Sequence, residues 1–114
     1  MSKRESLLYL QDILDSISKI FAYTNSRSYE KLVNDEMALD AIVRNLEIIG
    51  EAAKNVPSEV KEKYPNVPWR EIGGTRNKIL HEYFGINLEI IWKTIQEDLP
   101  ILEREIKTIV GGLK

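Results

Sequence analysis

Residues 34–57 read Asn34-Asp35-Glu36-Met37-Ala38-Leu39-Asp40-Ala41-Ile42-Val43-Arg44-Asn45-Leu46-Glu47-Ile48-Ile49-Gly50-Glu51-Ala52-Ala53-Lys54-Asn55-Val56-Pro57. Leu39, Ile42, Val43, Leu46, Ile49, Ala53 and Val56 recur in threes and fours, which lays one apolar stripe along a helix. Asn34 or Asp35 supplies a side-chain oxygen to cap its start. The helix stops before Pro57, whose ring disfavours helical geometry at the preceding residue. Gly50 inside it costs about 1 kcal/mol of helix propensity, which signals close approach of a neighbouring helix.

The same period extends in both directions. Upstream, Leu7, Leu10, Ile13, Leu14, Ile17, Ile20 and Phe21 form a second stripe, broken by the turn-forming run Thr24-Asn25-Ser26-Arg27-Ser28. Downstream, Ser58 is placed to cap a short helix that Pro65 cannot continue. Pro68 suits the first turn of another helix, predicted over 68–83, with Gly73-Gly74 as a kink or a tight contact and Gly85 as its stop. Asn87 then caps a final helix striped by Leu88, Ile91, Trp92, Ile95, Leu99, Leu102, Ile106 and Ile109, with Gly111-Gly112 as its end. Pro100 lies inside that helix without a donor for Gln96, so a bend is expected there. Asn66-Val67, like residues 24–28, reads as an ordinary loop. No segment alternates with period two for long enough to demand a strand. The expectation is an all-α, up-down bundle of three long and two short helices in a single domain spanning 1–114.

Composition bounds the chemistry. The chain has 114 residues, no cysteine and one histidine, which excludes disulfides, thiolate nucleophiles and Cys- or His-cluster metal sites. Sixteen Lys plus Arg against eighteen Asp plus Glu give a formal charge of -2, which neither demands nor forbids a local basic patch. Acidic residues interrupt the first apolar stretch, unlike a signal peptide, and no apolar run approaches the roughly 18 residues of a membrane span. A small cytoplasmic protein with no membrane partner is expected.

One constellation carries chemistry: Gly74-Thr75-Arg76-Asn77-Lys78-Ile79-Leu80-His81-Glu82-Tyr83-Phe84. On a helix Asn77 and His81 share a face, while Arg76 lies about 140° round from His81. A histidine near a helix C-terminus is favoured in its charged form and suits proton transfer near neutrality. An arginine offers five permanent donors to phosphate oxygens. Together these are the parts needed to cleave RNA without metal. Taken singly, His81 reads as a capping or hydrogen-bonded structural residue, Arg76 as a solvated or salt-bridged side chain, and Tyr83 as a packing aromatic with a polar tip. Arg44 and Glu47, three apart on the second long helix, pair on a solvated face or else line the cleft and orient His81. Trp69 and Trp92 read as packing residues rather than base-stacking platforms.

The run Arg76-Asn77-Lys78-Ile79-Leu80-His81-Glu82-Tyr83 resembles the RNxxxHxY motif of the HepT-like toxins of the HEPN superfamily. Residues 40–53 resemble that family's second-helix signature. Val67-Pro68-Trp69-Arg70-Glu71-Ile72 resembles the lead-in to the motif helix, and residues 83–92 resemble the segment C-terminal to it. The similarity runs from about Tyr9 to Leu102. It implies a two-fold dimer whose motif helices face a shared cleft, with Arg76 and His81 carrying metal-independent endoribonuclease activity. It further implies Asn77 in support, Lys78 adding to the basic focus, and Tyr83 as the site where an MntA-type nucleotidyltransferase antitoxin attaches AMP, alone or in a larger hetero-complex. No cofactor is implied. A non-catalytic nucleotide- or protein-binding module acting with such a nucleotidyltransferase, and a helical adaptor without a small-molecule site, stay open at this level.

Overall fold

The computed structural model describes residues 3–74 and 88–114. Helix α1 (Lys3–Thr24) is followed by the short α2 (Tyr29–Val33), the long α3 (Glu36–Asn55), and the short α4 (Ser58–Lys63) and α5 (Trp69–Gly73). After residues 75–87 come α6 (Leu88–Lys93), a single π-helical turn (Thr94–Asp98) and α7 (Leu99–Leu113), in one continuous helical run. No strand occurs among the described residues. The chain is an all-α helical bundle.

The expected stripes form its core. Leu10, Ile13, Ile17 and Ile20 of α1, Ile42 of α3 and Ile106 of α7 are wholly buried. Each such side chain contributes about 1.5–3 kcal/mol relative to an exposed one. α1 makes its most extensive contact with α3, and α7 lies against α1. Asp35 is the cap of α3, its carboxylate accepting from Ala38 N–H at 3.0 Å and from Arg27 Nη1 at 2.6 Å. The Ala38 N–H first, and Arg27 second, hold the Asp35 carboxyl below its ordinary range. Asn34 closes α2 instead, donating to Glu30 O at 2.8 Å.

Several local expectations are corrected. Residues 24–28 are not merely a break: Thr24 completes α1, and Ser28 caps α2, a helix the apolar pattern did not announce, by accepting from Lys31 N–H at 3.2 Å. Ser58 is the first residue of α4 rather than its cap, and Pro57 stands at the cap position with no side-chain bond. Asn66-Val67 is a loop as expected, but Val67 within it is buried. Pro100 is accommodated by widening the helix: Leu99 N–H bonds Thr94 O, five residues back, so the π turn takes up the broken pattern just before the proline. Gly111-Gly112 do not end α7, which continues to Leu113 beyond the buried Ile109 and Val110. Tertiary anchoring outweighs their weak propensity there.

Candidate functional site

Arg76, Asn77, Lys78, His81 and Tyr83, with the Gly85 stop and the Asn87 cap, lie outside the described residues. The structure describes the frame on either side of them. α5 is held by Trp69, whose indole Nε1 donates to Tyr64 O at 3.0 Å beneath a buried ring. Its far end is seated on α3, where a Cβ at Gly73 would lie 3.0 Å from Lys54 Cγ. Gly74 then caps the helix with its N–H on Arg70 O. The helix expected over 68–83 is thus corrected: α5 ends at Gly73, and the glycine pair combines a tight contact with a helix end rather than an interior kink.

Gly74 also lines a groove of about 650 Å³ between α3, α5 and the α6–α7 run. Its walls are mostly apolar, from Leu46 and Ile49 of α3, Ile72 of α5, and Ile91, Leu99 and Leu102 opposite. Glu71, Asp98 and Glu105 add carboxylates to the lining. No group of three or more His, Cys, Asp or Glu among the described residues is arranged to hold a metal ion. The segment bearing the motif thus leaves from the edge of an apolar groove whose described charges are acidic.

Arg44 and Glu47 are the predicted supporting residues within the described part. Arg44 is exposed and Glu47 half-buried, and neither lines the groove. At 100° per residue, Arg44 is set roughly opposite Leu46 and Ile49 on α3. The two are not within ion-pair distance of each other, so the expected pairing is not made among the described residues. One residue of this helix went unnoticed in the sequence. Asn45 is 5% exposed, its Nδ2 donates back to Ala41 O at 2.8 Å, and its Oδ1 has no partner among the described residues. The signal was an amide standing between Ile42, Leu46 and Ile49 on the buried side of the stripe.

Residues 13–109 match the family model described as "Ribonuclease HepT-like". Among curated proteins the chain is 40% identical over 109 residues to "Putative RNase MJ1380" of Methanocaldococcus jannaschii, covering 96% of this chain and 100% of that protein. It is 47% identical over 102 residues to "Putative RNase TTE0752" of Caldanaerobacter subterraneus subsp. tengcongensis, covering 90% and 91%. To "Probable ribonuclease HepT" of Thermococcus cleftensis it is 42% identical over 101 residues, covering 89% and 92%. No solved structure gives a significant match. A helical bundle with this core, matched from α1 to α7 by the family and by relatives of nearly equal length, belongs to the ribonuclease HepT-like family.

Proposed function

We propose that this protein is the toxin of a type VII toxin–antitoxin pair, a metal-independent endoribonuclease controlled by a cognate nucleotidyltransferase. The family match over residues 13–109, with the run from Arg76 to Tyr83 inside it, carries this reading. His81 relays a proton from the ribose 2′-hydroxyl to the departing 5′ oxygen. The freed 2′ oxygen attacks the adjacent phosphorus, the P–O5′ bond breaks, and a 2′,3′-cyclic phosphate remains. Arg76 stabilises the charge that builds on the non-bridging oxygens, as a permanently charged planar donor can. Asn77 and Lys78 hold and attract the phosphate.

The functional unit is a homodimer. Arg76 and His81 sit about 140° apart on an ideal helix, and two subunits facing across a cleft let Arg76 of one work beside His81 of the other. Arg44 and Glu47 support the site only across such a shared surface, because in one subunit they stand away from the groove. AMP attached to Tyr83 by the antitoxin places an anion where RNA phosphate must bind, and opposes cleavage by repulsion and bulk.

The test compares highly purified wild-type and His81→Ala proteins on one RNA, with and without excess EDTA. Replacement of a general acid–base should lower the chemical rate about 10²–10⁴-fold. Wild-type activity should survive EDTA, and a 2′-deoxyribose at the scissile linkage should block cutting. Equal cleavage by both proteins would shift the assignment to a nucleotide- or protein-binding module. Loss of activity in EDTA would refute the metal-free mechanism.

A further inference from the structure

The two tryptophans have different fates. Trp69 is buried with its indole N–H satisfied by Tyr64 O. Trp92 is only half-buried, its indole N–H has no partner among the described residues, and its ring lines a cleft of about 450 Å³. This cleft lies between the C-terminal end of α1, the turn after it, and the π turn ahead of Pro100. Two backbone irregularities meet at it. Ser26 holds φ at 65°, in the left-handed region that side-chain-bearing residues seldom adopt, and the π turn carries Ile95 and Gln96 on the opposite wall. Irregularities of both kinds concentrate where a binding surface is shaped.

The chemistry of the walls is specific. Phe21 and Trp92 give aromatic surface, and Trp92 is pinned by an edge-on contact with Tyr29 at 5.7 Å and 86°. Asn25 and Gln96, both exposed, carry amides with no hydrogen-bond partner among the described residues, each able to donate and accept. Arg27 is fixed by Asp35 through Nη1 at 2.6 Å, and a guanidinium has further donors to offer. The turn itself is held by Asn25 N–H to Phe21 O at 2.7 Å and Arg27 N–H to Thr24 O at 3.1 Å. Aromatic surface for a planar ring, amides for a base edge and an anchored cation for phosphate are the elements that recognise unstacked nucleotides. The volume lies in the small-ligand range, about 300–1,000 Å³.

We propose that this cleft binds one nucleotide unit, its base against Trp92 and Phe21, its edge read by Asn25 and Gln96, and its phosphate held by Arg27. The unit is either a free mononucleotide or one residue of a bound RNA strand. The RNA source rests on the ribonuclease reading, and the mononucleotide source does not.

The experiment monitors the two indole N–H signals of ¹⁵N-labelled full-length protein, assigned with Trp92→Phe. AMP and UMP are titrated to millimolar concentration in one arm. In the other, a five-nucleotide RNA is added to His81→Ala protein, which leaves it intact. The Trp92 signal should move saturably while the Trp69 signal stays. Gln96→Ala, at an exposed position, should weaken binding about two- to tenfold, the worth of one hydrogen bond. Arg27→Ala should weaken it for nucleotides but not for the corresponding nucleoside. Movement with mononucleotides identifies the free ligand as sufficient, and movement with the oligonucleotide alone identifies RNA. A Trp92 signal indifferent to both, or shifts unchanged by both substitutions, would overturn the proposal. Wild-type protein that cuts no RNA would remove the ribonuclease reading while leaving the mononucleotide arm decisive.

Discussion

Gly111 and Gly112 are neighbours near the end of the same helix, and replacing each with alanine should have opposite consequences. A Cβ at Gly111 meets nothing within 4 Å, whereas one at Gly112 would lie 2.7 Å from the Tyr64 hydroxyl. Gly111→Ala should therefore register only reduced unfolded-state entropy and improved helix propensity, about 0.4–1 kcal/mol. For a domain of this size that raises Tm by roughly 2–4 °C. Gly112→Ala carries the same gain and a steric cost. Ordinary contact begins at 3.4 Å, so the hydroxyl must withdraw by about 0.7 Å, the difference between 3.4 and 2.7. Tyr64 is packed against the core, and its carbonyl accepts from Trp69, so its freedom to move is limited. Overpacking of this kind costs about 1–3 kcal/mol, enough to cancel or reverse the gain. The assay is urea and thermal unfolding by circular dichroism at fixed protein concentration, on both single variants, Tyr64→Phe and the Gly112→Ala/Tyr64→Phe double variant. Removing the hydroxyl should recover the gain, with a coupling energy near 1 kcal/mol. Equal stabilisation at both glycines, or no coupling with Tyr64→Phe, would refute the reasoning.

Burial, charge and the motif each set a further expected outcome. Ile13→Ala, at a wholly buried position, should cost about 2–5 kcal/mol in urea unfolding, and Leu14→Ala, one residue on and half-buried, clearly less. The Asp35 carboxyl is depressed in the folded protein, so its stabilisation is complete above the ordinary aspartate pKa of about 3.9 and disappears as pH falls through the lower folded value. Wild type should lose its advantage over Asp35→Ala across that acid interval and show none below it, in unfolding curves taken from pH 6 to pH 2. Arg76→Lys should restore only part of the cleavage rate lost in Arg76→Ala, measured on the same RNA, because a point charge lacks the planar fork. On the proposed function, intact-mass analysis after co-expression with the proposed nucleotidyltransferase antitoxin should show AMP-sized increments on wild type and none on Tyr83→Phe.

The helices were legible because burial writes period 3.6 into the chain. Leu39, Ile42, Leu46, Ile49, Ala53 and Val56 are buried as their spacing foretold, as are Leu10, Ile13, Ile17 and Ile20 of α1 and Leu99, Leu102, Ile106 and Ile109 of α7. Leu7, Leu14, Phe21 and Val43, at the stripe edges, are half-buried. The candidate chemistry was legible for a different reason: one histidine in 114 residues, five positions after an arginine and two before a tyrosine, is a pattern visible without any structure. α2 was not legible, because five residues are too few for an apolar period and its cap, Ser28, sat among turn formers. Asn45 was different: its spacing from Ile42 and Ile49 set it on the apolar face, but spacing does not disclose which of its polar atoms find a partner.

The sequence by itself determined the all-α class, the long helices, a cap at Asn34 or Asp35, the family and the candidate reactive side chains. These depend on spacing and residue type, which are local and covalent. Tertiary structure alone decided that Pro100 is met by a π turn, that Gly73 seats α5 on Lys54, and that Gly112 passes Tyr64 while Gly111 faces open space. It also separated a Trp69 locked into the core from a Trp92 bordering a cleft. The two glycines and the two tryptophans diverged because packing brings together atoms far apart along the chain. Their distances, not their types, set which contacts are satisfied and which surfaces remain for a ligand.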